Sequence, residues 1–141
     1  MLETELITTL TDFDRAARAF ARTLRAGDAV AFSGDLGAGK TTFVRAIVRE
    51  LHGRDDATSP TFTFRQRYDG TPTIEHLDLY RIEDPREAIE LGLEEAFAPD
   101  VLTLVEWPER LPDLLPAESI RVHLEGSGDG PRTLAIERGV S

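Results

Sequence analysis

Apolar positions recur with two different periods along this chain, and the switches between them lay out its elements. Between residues 12 and 25, Phe13, Ala17, Phe20, Ala21 and Leu24 form one stripe at helical spacing. Thr11 is the expected cap of that helix, and Asp12 and Asp14 stand in its first turn, where the dipole favours them. Residues 29–32 (Ala-Val-Ala-Phe) are an unbroken apolar run of strand length. Phe43, Val44, Ile47, Val48 and Leu51 then return to helical spacing until His52-Gly53 stops the helix. Alternation reappears over 61–68 and 73–79, on either side of Asp69-Gly70-Thr71-Pro72, which carries a hairpin signal. Asp84-Pro85-Arg86-Glu87 predicts a helix start, Gly92 a break, and 94–97 a second short piece. Residues 101–105 read as a buried strand, while Pro108, Pro112 and Pro116 hold the next stretch to a single helical turn. Residues 120–124 and 133–136 alternate around a Gly-rich turn and predict a C-terminal hairpin, and 3–9 predict an edge strand.

The strand–helix switch near residue 33 is filled by Gly34-Asp35-Leu36-Gly37-Ala38-Gly39-Lys40-Thr41, followed by Thr42. This fits G-x-x-x-x-G-K-[ST], the phosphate-binding loop. Its glycines let bare backbone N–H groups approach an anion, and the helix that it opens points unpaired donors the same way. Lys40 can bridge β- and γ-phosphates, and the Thr41 hydroxyl can ligate Mg²⁺. Lys40 is the single lysine in the chain, against fifteen arginines. A compact ammonium stands only where the motif needs one.

The 141 residues suit one domain, an α/β P-loop NTPase. A formal charge of −10 argues against direct, tight binding to nucleic acid, DNA included, or to an anionic membrane. Cysteine is absent, which removes disulfides and thiolate metal sites. No apolar run is long enough to span a bilayer and the N-terminus lacks signal-peptide blocks, so the expectation is a cytoplasmic protein. Arg15, Arg18, Arg22 and Arg25 line one helix face, which reads as a solvated face or as a docking surface. Asparagine is absent too, so the guanine-reading Asn-Lys-x-Asp motif cannot exist and ATP is preferred by elimination.

A phosphate loop needs an acid near its metal. Glu106, at the end of the apolar run 101–105, occupies the expected place, directly or through water; otherwise it is a solvated strand end. Asp78, in His76-Leu77-Asp78-Leu79-Tyr80-Arg81, either positions or activates the attacking water or is a second metal ligand; the structural alternative is an ion pair with Arg81 or Arg67. His76 has no companion at ligand spacing and reads as a satisfied strand histidine. Thr61 either senses the γ-phosphate through Mg²⁺ or simply starts a strand. Trp107 either stacks near the nucleotide or a partner, or packs. Three functions fit these residues: an ATPase harnessed by a partner, a small-molecule kinase, and a non-hydrolytic nucleotide-sensing adaptor. Labelled phosphate appearing on a metabolite marks the kinase, and an Asp78→Asn protein that binds ATP and still functions marks the adaptor.

Four blocks resemble one family in order: 34–43, Ser59-Pro60-Thr61-Phe62, 76–81, and Glu106-Trp107-Pro108-Glu109. Together they are similar to the TsaE (YjeE) family, small bacterial P-loop ATPases of tRNA threonylcarbamoyladenosine (t6A) biosynthesis, and the resemblance spans nearly the whole chain. It implies a mixed parallel/antiparallel central sheet within a three-layer fold, ATP hydrolysis with Mg²⁺, and action with TsaD and TsaB homologues on adenosine 37 of ANN-decoding tRNAs. tRNA would then be met indirectly, through that complex. It further implies that Lys40, Thr41 and Thr42 hold phosphate and metal, that Asp78 is needed for hydrolysis, and that Glu106 serves the metal.

Overall fold

The computed structural model describes residues 2–53 and 65–138. Seven strands form one sheet: β1 (Leu2–Ile7), β2 (Ala29–Ser33), β3 (Arg65–Tyr68), β4 (Thr73–Asp78), β5 (Val101–Glu106), β6 (Ile120–Glu125) and β7 (Arg132–Glu137). Their spatial order is β1-β7-β6-β2-β5-β4-β3. The four central strands are parallel, and antiparallel pairs close both edges, β3 on β4 and β7 between β6 and β1. The sheet is mixed, as expected. β5 is buried at every position, which is why it reads as a mostly apolar run, whereas β6 alternates buried and exposed because one of its faces meets solvent.

Side-chain parity divides the core into two layers. Helices α1 (Leu10–Ala21) and α2 (Lys40–His52) pack on Val30, Phe32, Ile74, Leu102, Leu104, Val122 and Leu124. On the opposite parity, Leu77, Leu79 and Val105 meet the short helix α3 (Arg86–Glu90), the 3₁₀ turn Leu93–Ala96 and Leu111. Phe43 of α2 anchors the first layer, with ring centroids 5.6, 5.8 and 6.0 Å from Phe13, Phe32 and Phe20. Edge and tilted contacts of this kind fix the azimuth of α2 against β2 as well as burying area.

Two boundaries differ from the sequence expectation. The cap of α1 is Thr9, whose hydroxyl accepts the Asp12 N–H at 3.0 Å, and not Thr11. Periodicity locates a helix face but not its first residue, and Thr8, Thr9 and Thr11 all have capping chemistry. The helix also ends early, at Ala21, where turn bonds from Thr23 N to Phe20 O and from Leu24 N to Ala21 O tighten the chain. The first strand of the hairpin is described from Arg65 onward, so Thr61 lies outside the described residues.

Candidate functional site

β2 delivers the chain into the phosphate loop, and two glycines make the turn possible. Gly34 has φ +142°, and a Cβ there would sit 2.2 Å from the Leu124 carbonyl oxygen of β6. Gly39 caps α2 in the left-handed region at φ 102° and offers no side chain to the first turn, so the leading N–H groups of the helix stay available to an anion. Ala38 is fully buried and faces the core. Lys40, itself 5% exposed, curls back over the loop. Its ammonium donates to the Gly34 carbonyl and, at 3.4 Å, to the Asp35 carbonyl, and lies 3.6 Å from the centroid of the Trp107 ring. Burial lowers the Lys40 pKa, outweighing the opposing pull of Glu106, Glu109, Asp78 and Asp35.

The acids come from neighbouring parallel strands. Asp78 and Glu106 are register partners at the ends of β4 and β5. Glu106 is 2% exposed. It accepts the Thr41 hydroxyl at 2.9 and 3.2 Å, and its Oε2 lies 2.6 Å from His76 Nε2. Asp78 Oδ1 accepts the Tyr80 N–H at 3.1 Å, and burial raises the Asp78 pKa above the ordinary carboxylate range, with Glu106 pushing the same way. Arg67 is engaged by Asp69 and by the buried Glu75, which Arg65 also grips. Of the two arginines offered as structural partners for Asp78, Arg67 is thus engaged elsewhere.

One cavity of about 370 Å³ gathers these groups. Leu36, Gly37, Gly39, Lys40, Thr41 and Thr42 line it from the loop and helix, and Asp78, Tyr80, Glu106 and Trp107 from across the sheet. Trp107 is there because its backbone takes a left-handed turn, φ 59°, straight after β5, and its ring packs on Tyr80 with centroids 4.9 Å apart. Gly34 and Asp35 lie behind the cavity, as carbonyl partners of Lys40. The side-chain groups facing it that could meet a cation directly are oxygens: the hydroxyls of Thr41, Thr42 and Tyr80 and the carboxylates of Asp78 and Glu106. Such a donor set fits magnesium, a hard ion usually held by one or two protein oxygens together with phosphate and water.

Sequence reasoning missed two contributors. His76 is 1% exposed and bonded to Glu106, so it backs a cavity-lining carboxylate without lining the cavity itself. Only strand parity, which places it on the Asp78 face, could have hinted at this. Arg132 of β7 reaches the back of the phosphate loop. Its guanidinium donates to the Ala38 carbonyl at 3.0 Å and the Gly37 carbonyl at 3.4 Å, and also to Gly128 and Gly130 of the preceding turn. It borders a second cavity of about 280 Å³ that shares Gly39 and Thr42 with the first and is walled by Thr8, Thr9, Leu10 and Phe13. Arg132→Ala should lower ATP affinity by roughly 10-fold, because charge-assisted bonds that hold the loop contribute about 1.5–3 kcal/mol. Titration with ATP, alongside amide exchange over residues 34–42, checks this; unaltered exchange there would show that the loop holds its shape unaided.

Three of the four arginines expected on the α1 face are paired within the chain. Arg15 pairs with Asp12, Arg18 with Asp14 and Arg22 with Glu50, at 3.3, 2.9 and 3.4 Å, all near the surface where such pairs contribute little.

The family model described as "Threonylcarbamoyl adenosine biosynthesis protein TsaE" matches residues 7–134. The chain is 47% identical over 123 residues to a tRNA threonylcarbamoyladenosine biosynthesis protein TsaE of Rickettsia bellii, covering 85% of this chain and 84% of that one. It is 39% identical over 111 residues to the Bacillus subtilis protein of the same name, covering 78% and 69%. Among solved structures it resembles Bacillus subtilis YdiB, with a TM-score of 0.80 and 28% identity over 99% of this chain and 87% of that one.

Proposed function

The chain belongs to the TsaE family, and on that premise we propose that it is a magnesium-dependent ATPase of tRNA threonylcarbamoyladenosine synthesis. It would support modification of adenosine 37 in ANN-decoding tRNAs by acting with homologues of TsaD and TsaB. The observation that carries the reading is the convergence of Lys40, Thr41, Asp78 and Glu106 on one cavity at the mouth of a phosphate loop.

Each group has a definable task. The loop amides and Lys40 would bind the β- and γ-phosphates, where preorganised donors act without having to reorganise during the reaction. Thr41 and Glu106 would hold the Mg²⁺, with Asp78 near enough to share it, and Thr42 would hold phosphate beside Thr41. When bound, the ion would neutralise charge developing on the phosphoryl oxygens. Asp78, with its raised pKa, would orient the attacking water and take its proton. Trp107 and Tyr80 wall one side and limit water entry. The second cavity, reached past Thr42, is the natural place for the base, since its walls are mainly apolar and backbone.

Two features support dependence on a partner. Lys40 is the one cation among the described residues lining the phosphate cavity, and its ammonium is engaged by its own loop and by Trp107. A cation supplied by a partner over the transferred group would then raise turnover. The formal charge of −10 supports a reading in which tRNA is met through partners and not gripped by this chain. ADP release should be slow for the isolated chain and should rise by at least ~10-fold when TsaD and TsaB homologues are added, a modest share of what a supplied arginine contributes. Unchanged release would reject the harnessed-ATPase reading, and transfer of label to a metabolite would put a kinase in its place.

A further inference from the structure

The buried His76–Glu106 pair is unused by the scheme above. His76 stands two residues before Asp78 on the same face of β4, opposite Leu104 of β5 and Gln66 of β3. Its Nε2 lies 2.6 Å from Glu106 Oε2, with the two side chains 1% and 3% exposed. The Thr41 hydroxyl bonds the same carboxylate from the other side, at 2.9 Å to Oε1. The terminal torsion of a glutamate is broad and two-fold, so one donor leaves the plane of the carboxylate free to swing. Two donors arriving from different elements, α2 and β4, fix it.

Among the described residues His76 Nδ1 is buried without a hydrogen-bond partner. With the ring proton on Nε2, Nδ1 is a bare lone pair, which is tolerated in a core more readily than an orphan N–H. The single strong interaction of this imidazole is therefore the one it makes with Glu106. A histidine kept only for packing would have no need to spend its one donor on a carboxylate facing the phosphate cavity.

We infer that His76 is a positioning residue: it aims the Glu106 carboxylate toward Thr41 and toward the magnesium that those two residues would hold. This rests on the reading of the cavity as a magnesium–nucleotide site. Partners behind a metal-serving group typically alter metal affinity by about 10–100-fold when removed.

The test is a calorimetric ATP titration of the full chain, in EDTA and over a magnesium series. The proteins compared are the wild type, His76→Ala, His76→Gln, Glu106→Gln, and the His76→Ala/Glu106→Gln double variant. In EDTA, His76→Ala should bind ATP within about 2-fold of wild type, because it touches no phosphate-binding group. The magnesium concentration that half-maximally tightens ATP binding should rise by at least ~10-fold. His76→Gln, which still presents an N–H donor, should recover most of that loss. In the Glu106→Gln background, removal of His76 should add nothing, since it acts through Glu106. Should His76→Ala fail to fold, His76→Phe fills the ring volume without a donor and carries the same expectation. Wild-type magnesium dependence in folded His76→Ala or His76→Phe, or a full effect persisting in the Glu106→Gln background, overturns the inference alone. A wild-type chain whose ATP binding ignores magnesium overturns the site reading and the inference with it.

Discussion

Lys40→Ala will weaken ATP binding by roughly 100-fold, since an ammonium that bridges two phosphates makes charge-assisted bonds of about 1.5–3 kcal/mol, and it will leave the protein folded. The second half is the less obvious one, because Lys40 is almost fully buried. In the structure its ammonium is bonded to the Gly34 carbonyl and set against the Trp107 ring. Desolvation is nevertheless the dominant influence on its pKa, so the protein keeps this charge buried at a cost. Deleting it removes that cost together with the contacts, and the net change in stability is small. Titration with ATP and a thermal melt of the nucleotide-free variant check both halves; a melt that collapses would show Lys40 to be structural. Lys40→Arg should restore binding only in part, because a planar fork does not reproduce a compact ammonium that bridges two phosphates.

Asp78→Asn should bind ATP within about 3-fold of wild type and lose at least ~100-fold in turnover, the usual span for a positioned base. Asn keeps the oxygen that accepts the Tyr80 N–H, so local geometry survives. The raised pKa of Asp78 gives a second readout. Its folded-state pKa lies above the unfolded value, so the folded chain holds this proton more tightly. The ionised carboxylate is therefore a destabilising burden that appears as pH rises through the folded-state pKa. In magnesium-free buffer the Asn variant should match wild type at acidic pH and melt above it near neutrality. Equal melts at both pH values would show that Asp78 is fully at ease when ionised, and would remove the pKa argument for its role as a base.

The sequence made the frame legible where local patterns were strong. The glycine loop between an apolar strand and an amphipathic helix, the hairpin after α2, and the buried strand ending in Glu106 all stand where the spacing predicts them. What stayed illegible depends on contacts between distant segments. Arg132 reaches the phosphate loop from more than ninety residues away, and nothing in its local surroundings marks it. His76 sits on a face that alternation identifies, yet its bond to Glu106 needs the register of β4 on β5, which no single strand encodes. The second cavity brings Thr8, Thr9 and Phe13 beside Gly39 only because the α1 and α2 aromatic rings interlock. The cap of α1 was missed for a smaller reason, since three threonines offered the same chemistry within four positions.

The lone ε-amine of the protein is thus stored inside its phosphate pocket, beneath an indole that is itself the sole example of its kind. Amine-directed acylating reagents can modify no other side chain, and a nucleotide seated over the loop would shield that one. Occupancy of the pocket, free or within a larger assembly, can therefore be footprinted chemically without any engineered label.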